Sequence, residues 1–312
     1  MDKGIVISLV VPVYGVERYI AEFARSVFSQ SYQNVQYVFV NDGTKDNSIQ
    51  VLNDVIDNEF SHLREKVLIV DKPNGGLPAA RKTGLEHVTG DYVYHVDPDD
   101  WLTPGSFESI AAKAQETDAD IIFFNYVKEY ENRTSVKKER PYSIEEKALY
   151  ARNMYNHKAY GTLCNKCVKR SLYKENEIFH PRYSYAEDCF LSVQLVGRAR
   201  SLAYLDMEIY HYRKNNPHSI THNGRRKRKE EYALNFLNLY ECYREVPENE
   251  NPVSVIQDDV FMQAGWYSIA YGLNLFKRFD YLASNVRKAR LSTGTDVCLP
   301  LQLLVKLYAC FL

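Results

Sequence analysis

The residues best equipped for chemistry are three carboxylates within four positions, Asp97-Pro98-Asp99-Asp100, closing the apolar run Tyr92–Val96. Like charges this close repel unless a cation sits among them. Hard carboxylate oxygens suit Mg2+ or Mn2+. Such a cation absorbs the negative charge that builds on a departing nucleoside diphosphate. Pro98 holds Asp97 extended, which lets Asp97 and Asp99 converge. Taken alone, a D-x-D is equally a polar turn whose aspartate caps the next helix. Its place at a strand end in an α/β pattern favours the metal.

Four weaker constellations accompany it. In Asn41-Asp42-Gly43-Thr44-Lys45-Asp46-Asn47-Ser48, Asp42 stands where an acid accepts a hydrogen bond from a base or ribose, or simply forms a turn. Asp46 and Ser48 read as helix caps. In Lys72-Pro73-Asn74-Gly75-Gly76-Leu77-Pro78-Ala79-Ala80-Arg81, the glycines permit close backbone approach. The helix that follows offers its positive end to phosphate, and Lys72 and Arg81 have the charge to neutralise a diphosphate. The loop is neither a P-loop nor GxGxxG. Glu187-Asp188 opens a helix, where a carboxylate can act as general base and stays ionised beside the positive helix end. His211 and Arg213, in Tyr210-His211-Tyr212-Arg213, have the charge to meet a phosphate, though alone the segment reads as a strand and a loop.

These groups need a frame. Ile5–Val11, Val35–Val40, Val67–Val70, Tyr92–Val96 and Asp120–Tyr126 read as strands, the first two apolar on both faces. Val16–Ser29, Ser48–Phe60, Leu77–His87 and Ser106–Thr117 carry helical spacing between them. Regular alternation predicts an α/β fold with a mostly parallel sheet and helices on both faces. Ligands in such sheets bind at the carboxyl ends of strands, where strand order reverses, and Tyr14, Asp42, Lys72 and Asp97 all follow strand ends. Beyond residue 127 the pattern loosens. Lys128–Arg140 reads as a charged loop or exposed hairpin, Ile144–Tyr155 and Tyr185–Val196 as helices, and Leu202–Tyr212 as strands. Arg225–Tyr243 and Val253–Phe276 are helical, so a boundary is set near residue 220, dividing 1–220 from 221–312.

Composition narrows the class. The 312 residues are 45% apolar with net charge -1, enough for a sizeable core and too little positive charge for a nucleic-acid coat. Tyrosine is abundant, at 25, suited either to stacking on sugars and bases or to packing. Six scattered cysteines form no disulfide framework and read as reduced thiols in a cytoplasmic protein. Cys164 and Cys167 make a lone CxxC, a weak signal for zinc. No apolar run reaches spanning length, so a soluble or peripheral protein is expected. Arg225–Lys229 suits an anionic membrane surface or a lipid-diphosphate acceptor, or else a solvated helix start. Leu299–Leu312 is apolar except Gln302 and Lys306, four apart on one helical face. The remaining surface lies in a membrane interface, packs on the catalytic domain, or forms a homodimer seam. Membrane or partner contact is favoured, because the chain ends there with nothing to cover it.

Together the motifs resemble the family-2 glycosyltransferases of the GT-A fold. Val10-Val11-Pro12-Val13-Tyr14 with Glu17 is similar to the family's P-V-Y-N-x-E, with Gly15 for Asn. Val40–Asp46 is similar to V-D-D-G-S-x-D, with Asn41 for Asp. Asn74–Leu85 is similar to N-x-G-x-x-x-A-R-N-x-G-L, with Lys82 for Asn. Asp97–Asp100 is similar to D-S-D-D, with Pro98 for Ser. Glu187-Asp188 matches the acceptor-side E-D, Asn165-Lys166 a family N-K segment, and Tyr212-Arg213 with Ser219-Ile220-Thr221 the closing Y-R…S-I-S. The likeness covers about residues 5 to 221. It implies that Pro12, Tyr14, Glu17 and Asp42 hold the uridine end, that Asp97 sits by the ribose, that Asp99 binds the metal and that Asp188 is the base. The implied reaction is a single displacement with inversion at the sugar's anomeric carbon. It moves a sugar from a UDP-sugar to a glycan or lipid-linked acceptor for surface polysaccharide, at the cytoplasmic side. A sugar-phosphate nucleotidyltransferase would need a Gly- and Arg-rich loop where Pro12–Gly15 stands. A non-catalytic nucleotide-binding protein would have lost one of Asp97, Asp99 or Asp188.

Overall fold

The computed structural model describes residues 4–217, 224–291 and 297–312. The chain runs β1 (Ile7–Val13), α1 (Ile20–Phe28), β2 (Val35–Asn41), α2 (Ser48–Glu59), β3 (Val67–Asp71), α3 (Leu77–Glu86), β4 (Tyr92–His95), β5 (Trp101–Leu102) and α4 (Ser106–Thr117). It continues through β6 (Ile121–Tyr130), β7 (Arg133–Lys137), α5 (Lys147–Tyr155), β8 (Lys166–Lys169), α6 (Arg170–Glu175), α7 (Glu187–Arg198) and β9 (Leu202–Arg213). Helices α8 (Arg225–Tyr243), α9 (Gln257–Tyr271), α10 (Leu275–Arg278), α11 (Leu282–Lys288) and α12 (Leu299–Cys310) follow. Lys128–Arg140, expected as a loop or hairpin, is the hairpin of β6 and β7.

The strands form one sheet in the order β3-β2-β1-β4-β8-β6-β9-β5, with β7 beside β6. Strands β3, β2, β1 and β4 are parallel neighbours. Strand β8 then enters antiparallel between β4 and β6. The chain steps from β1 outward to β2 and β3, then returns past β1 to β4. That reversal makes the carboxyl ends of β1 and β4 the switch point at which such sheets bind ligands.

Side-chain alternation on β2 shows both faces covered. Tyr37 and Phe39 meet Phe28 of α1, and Tyr37 also meets Phe107 of α4. Val38 and Val40 point the other way and pack with Ala80 of α3. A Cβ on Gly84 would lie 2.4 Å from Val10 Cγ1, so only glycine lets α3 settle this closely on β1. Pro12 sits inside a central strand without losing a ladder bond. The Val10 carbonyl accepts from Val96 on the β4 side; Pro12, two residues on, faces the same side where β4 pairing has already ended at Val10.

The described residues group into two compact units. The first holds the chain to Ile144, Thr162–Glu177 and Ala199–Pro217; the second holds Glu145–Gly161, Ile178–Arg198 and the residues after Pro217. A single boundary at residue 220 is therefore too simple. Segments 145–161 and 178–198 belong with the tail, because α5 packs on α7 and α7 on α8. No described helix is long and apolar enough to cross a membrane.

Candidate active site

In the first unit, the loops after β1 and β2 are laced together. Gly15 N donates to Thr44 Oγ1 at 2.9 Å, Val16 N to Ser48 Oγ at 3.0 Å, and Glu17 N to Asp46 Oδ2 at 3.0 Å. The Glu17 carboxylate accepts in return from the Asn47 backbone and side chain, at 3.0 and 3.2 Å. Asp46 accepts from the Ser48 amide and hydroxyl at the start of α2. Burial pushes its carboxyl up, but hydrogen bonds from Ser48, Thr44 and the Glu17 amide outweigh that and hold it below the usual range. The expected cap is thus real and spans two loops. Tyr14 projects from this platform with its ring half exposed. Asn41, where the family shows Asp, donates from Nδ2 to Asp71 Oδ1 at 2.7 Å. An aspartate there would face Asp71 with like charge.

Asp42 is buried and receives three donors: Lys72 Nζ at 2.5 Å, Gly75 N at 2.9 Å and Gly76 N at 2.8 Å. Gly76 has φ 83, a left-handed conformation that glycine adopts without a steric penalty. The two glycines, expected to permit close backbone approach, thus turn their amides onto Asp42. Lys72 also donates to the Pro73 carbonyl at 2.7 Å.

The carboxylate turn follows β4. Asp100 N donates to Asp97 O at 3.2 Å, closing a β-turn with Pro98 at its favoured second position. Arg81, 1% exposed, reaches from α3 to Asp97 Oδ1 at 2.9 Å. Strand β9 holds the other side. The Tyr210 hydroxyl accepts from Asp97 N at 3.2 Å and donates to Asp100 Oδ2. Arg213 donates from its amide to Asp100 Oδ1 at 2.7 Å and from Nε to Asp99 O at 2.8 Å. Asn216 Nδ2 donates to Asp99 Oδ2 at 2.7 Å. The Arg213 guanidinium lies over Tyr19 and Trp101 and binds Glu22 at 2.6 Å. Asp97 and Asp99 remain half buried, while Asp100 is fully buried. Burial, then the charges of Asp99 and Asp97, push the Asp100 carboxyl well above the carboxylate range. Burial, with Asp100 and Asp97 beside it, likewise pushes the Tyr210 hydroxyl well up, so it keeps its proton as a fixed donor.

Three expected site residues therefore sit differently from a bare phosphate cradle. Lys72, Arg81 and Arg213 are each closed on an acidic group or carbonyl. His211 is tied between Glu129 at 2.7 Å and Thr103 at 3.0 Å and stacks on Trp101, a structural placement. Tyr210, Asn216 and Glu22 escaped the sequence reading; the only local cue was the alternation of Tyr210 and Tyr212 along a strand. Lys82 lies exposed on α3. Cys164 and Cys167 are buried and outside any disulfide, and Cys167 pairs within the sheet, where burial pushes its thiol up. Ser219-Ile220-Thr221 lies outside the described residues.

Among the described residues, no three His, Cys, Asp or Glu gather around one point. Mg2+ and Mn2+ need only one or two protein carboxylates when substrate phosphates and water complete the shell. Asp99, with Asp97, fits that donor chemistry.

Glu187 and Asp188 belong to the second unit and open α7. Ala186 just before them has φ 63, a left-handed conformation that is strained for alanine and clusters at functional sites. The preceding segment is anchored to α8. Asn235, fully buried, accepts from Tyr183 N at 3.2 Å and donates to the Tyr183 and Tyr185 carbonyls at 2.9 and 3.0 Å. Tyr185 N donates to Glu231 at 3.0 Å. Neither Asn235 nor Glu231 stood out in the sequence. The basic run Arg225–Lys229 begins α8 with its cations engaged: Arg225 over Tyr271, Arg228 over Tyr185, and Lys229 bonded to Tyr267.

Residues 8–176 match the family model described as Glycosyl transferase family 2. Glycosyltransferase GlyA of Streptococcus pneumoniae is 30% identical over 66% of this chain and 30% of its own length. EpsH of Bacillus subtilis is 28% identical over 66% of this chain. The match spans 60% of EpsH, so both relatives extend beyond it. Staphylococcus aureus TarS 1-349 in complex with UDP-GlcNAc superposes with TM-score 0.68 and 18% identity, over 97% of this chain and 89% of that one. Mannosyltransferase PcManGT from Pyrobaculum calidifontis, in complex with GDP-Man and Mn2+, superposes with TM-score 0.56 and 15% identity, over 99% of this chain and 81% of that one.

Proposed function

Because the chain belongs to glycosyl transferase family 2, we propose that it is a metal-dependent, inverting enzyme moving a sugar from a UDP-sugar to a hydroxyl of a glycan or lipid-linked acceptor in surface polysaccharide synthesis. One observation carries the reading. At the reversal point of the sheet, the turn Asp97–Asp100 is fixed from both sides by Arg81, Tyr210, Arg213 and Asn216, leaving two half-buried carboxylates in a defined place. The relatives with bound UDP-GlcNAc and with GDP-Man and Mn2+ agree in fold.

In this proposal Tyr14 stacks on the uracil, and Pro12, Glu17 and Asp42 shape the pocket for the base. Asp97 meets the ribose and Asp99 holds Mg2+ or Mn2+. A divalent cation bound there supplies positive charge to the departing diphosphate. Lys72, with Gly76, sets Asp42, Arg81 sets Asp97, and Arg213 sets the turn through the Asp99 carbonyl and the Asp100 carboxylate, so all four act on the donor through the acidic residues they position. Asp188 takes the proton from the acceptor hydroxyl as its oxygen bonds to the anomeric carbon. The sugar's bond to UDP breaks in the same step, UDP departs, and the configuration inverts. Glu187 lies buried beside Asp188 in the first turn of α7.

The test is thermal stabilisation by UDP with and without Mn2+, followed by slow hydrolysis of UDP-sugars. Metal-dependent stabilisation with hydrolysis of one donor is the expected result. No stabilisation by any nucleoside diphosphate, with or without manganese, overturns the proposal.

A further inference from the structure

Helix α12 is turned opposite to a water-facing helix. Gln302, Val305 and Ala309 are its buried residues, and Gln302 Nε2 donates to the Val297 carbonyl at 2.5 Å. Gln302 thus goes inward, and Lys306, four residues on along the same face, donates to the Arg287 carbonyl at 3.1 Å. Packing leaves no room to rotate. A Cβ on Gly265 of α9 would lie 2.6 Å from Val305 Cγ1, and Arg287 of α11 donates to Ala309 O at 2.5 Å. Exposure therefore falls on Leu299, Leu303, Leu304, Leu307 and Tyr308, with Phe311 beyond them 88% exposed. These positions recur at helical spacing and form one stripe.

Charge identifies the occupant. Among the described residues from Tyr281 to Leu312 the charged side chains are Arg287, Lys288, Arg290 and Lys306, all positive. An isologous dimer through this stripe would gather two copies of this positive set at one interface, with no acidic side chain among these residues to offset it. A bilayer with anionic headgroups instead neutralises them while its acyl boundary takes the leucines and Phe311. We propose that α12 is an interfacial helix that seats the second unit on an anionic membrane surface. This goes beyond the transferase reading and does not depend on it.

The test is co-sedimentation of the full chain with vesicles of phosphatidylcholine alone and of phosphatidylcholine with about a third phosphatidylglycerol. The variants are Leu303→Ser/Leu307→Ser/Phe311→Ser and Lys288→Glu/Arg290→Glu. All five positions are exposed, so both variants should keep the wild-type melting temperature. Wild type should partition to anionic vesicles at least about tenfold better than to neutral ones, because each basic residue near an anionic surface adds to the attraction. The serine variant should lose binding to both, and the charge variant should lose the preference. Light scattering accompanies each sample. Failure of wild type to bind anionic vesicles, unchanged binding by the serine variant, or a dimer that the serine substitutions dissolve would overturn the proposal.

Discussion

Tyr210→Phe removes one oxygen and tests how the carboxylate turn is held. That hydroxyl is the acceptor for the Asp97 amide and the donor to Asp100 Oδ2. Phenylalanine fills the same space but satisfies neither. A buried polar group that loses its partner costs about 1–3 kcal/mol. Two such groups, one of them only partly buried, sum to roughly 2–4 kcal/mol. For a unit of this size that lowers the melting temperature by roughly 5–15 °C. The loosened turn should also raise the Mn2+ concentration for half-maximal activity by about 10–100-fold, the usual effect of losing an outer partner of a metal ligand. Tyr37→Phe is the matched control. Its hydroxyl is also buried, donating to Val27 O at 3.2 Å, but it lies away from the turn. It should cost about 1 kcal/mol and leave the Mn2+ dependence unchanged. Scanning calorimetry and Mn2+ titration of UDP-sugar turnover measure both. If Tyr210→Phe keeps the wild-type Mn2+ requirement, or Tyr37→Phe shifts it equally, the positioning role is refuted.

Asp188→Asn should abolish transfer while UDP affinity, by calorimetry, stays within about twofold, since the base acts on the acceptor; equal loss of both would remove Asp188 from that role. Gly84→Ala drives a methyl into Val10 and should destabilise by about 1–3 kcal/mol as overpacking does, read as a lower midpoint in urea unfolding. Asp100 makes stability fall with pH. Its folded-state carboxyl is raised above the ordinary 3.8, so its contribution is complete below that value and declines as pH climbs through the elevated one. Asp100→Asn, which mimics the protonated form, should flatten this decline in melting temperature against pH; an identical slope in the two proteins would exclude Asp100 as its source.

The α/β frame with its C-terminal helices was readable because β1 to β4 are continuous apolar runs between helices of clear period, and the fold matches the GT-A proteins expected. Strand β5 escaped because two residues carry no period, and β8 because lysines flank Cys167 and Val168. Lys166 is nevertheless buried, bonded to Thr162 O and Asn165 Oδ1 at 2.8 Å each. Motif order singled out Asp42, Asp97, Asp99 and Asp188 as candidates, but the groups that hold Asp97 and Asp99 were beyond local reading. Tyr210 lies 113 positions from Asp97 and Asn216 117 from Asp99; no periodicity links residues so far apart. Gln302 shows a different limit. Its spacing placed it on one helical face with Lys306 and did not tell that this face turns inward, where Gln302 bonds to the Val297 carbonyl.

The interleaving of the two units bears on synthesis at the ribosome. The Asp97–Asp100 turn emerges with β4, yet Tyr210 and Arg213 come only with β9, after two stretches of the other unit have passed. At about 5–20 residues per second, the nascent turn waits roughly 5–20 s with Arg81 as its one partner among those that fix it from both sides. Neither unit can be excised by one cut, so an attempt to express residues 1–144 alone would deliver the carboxylates without the strand that fastens them.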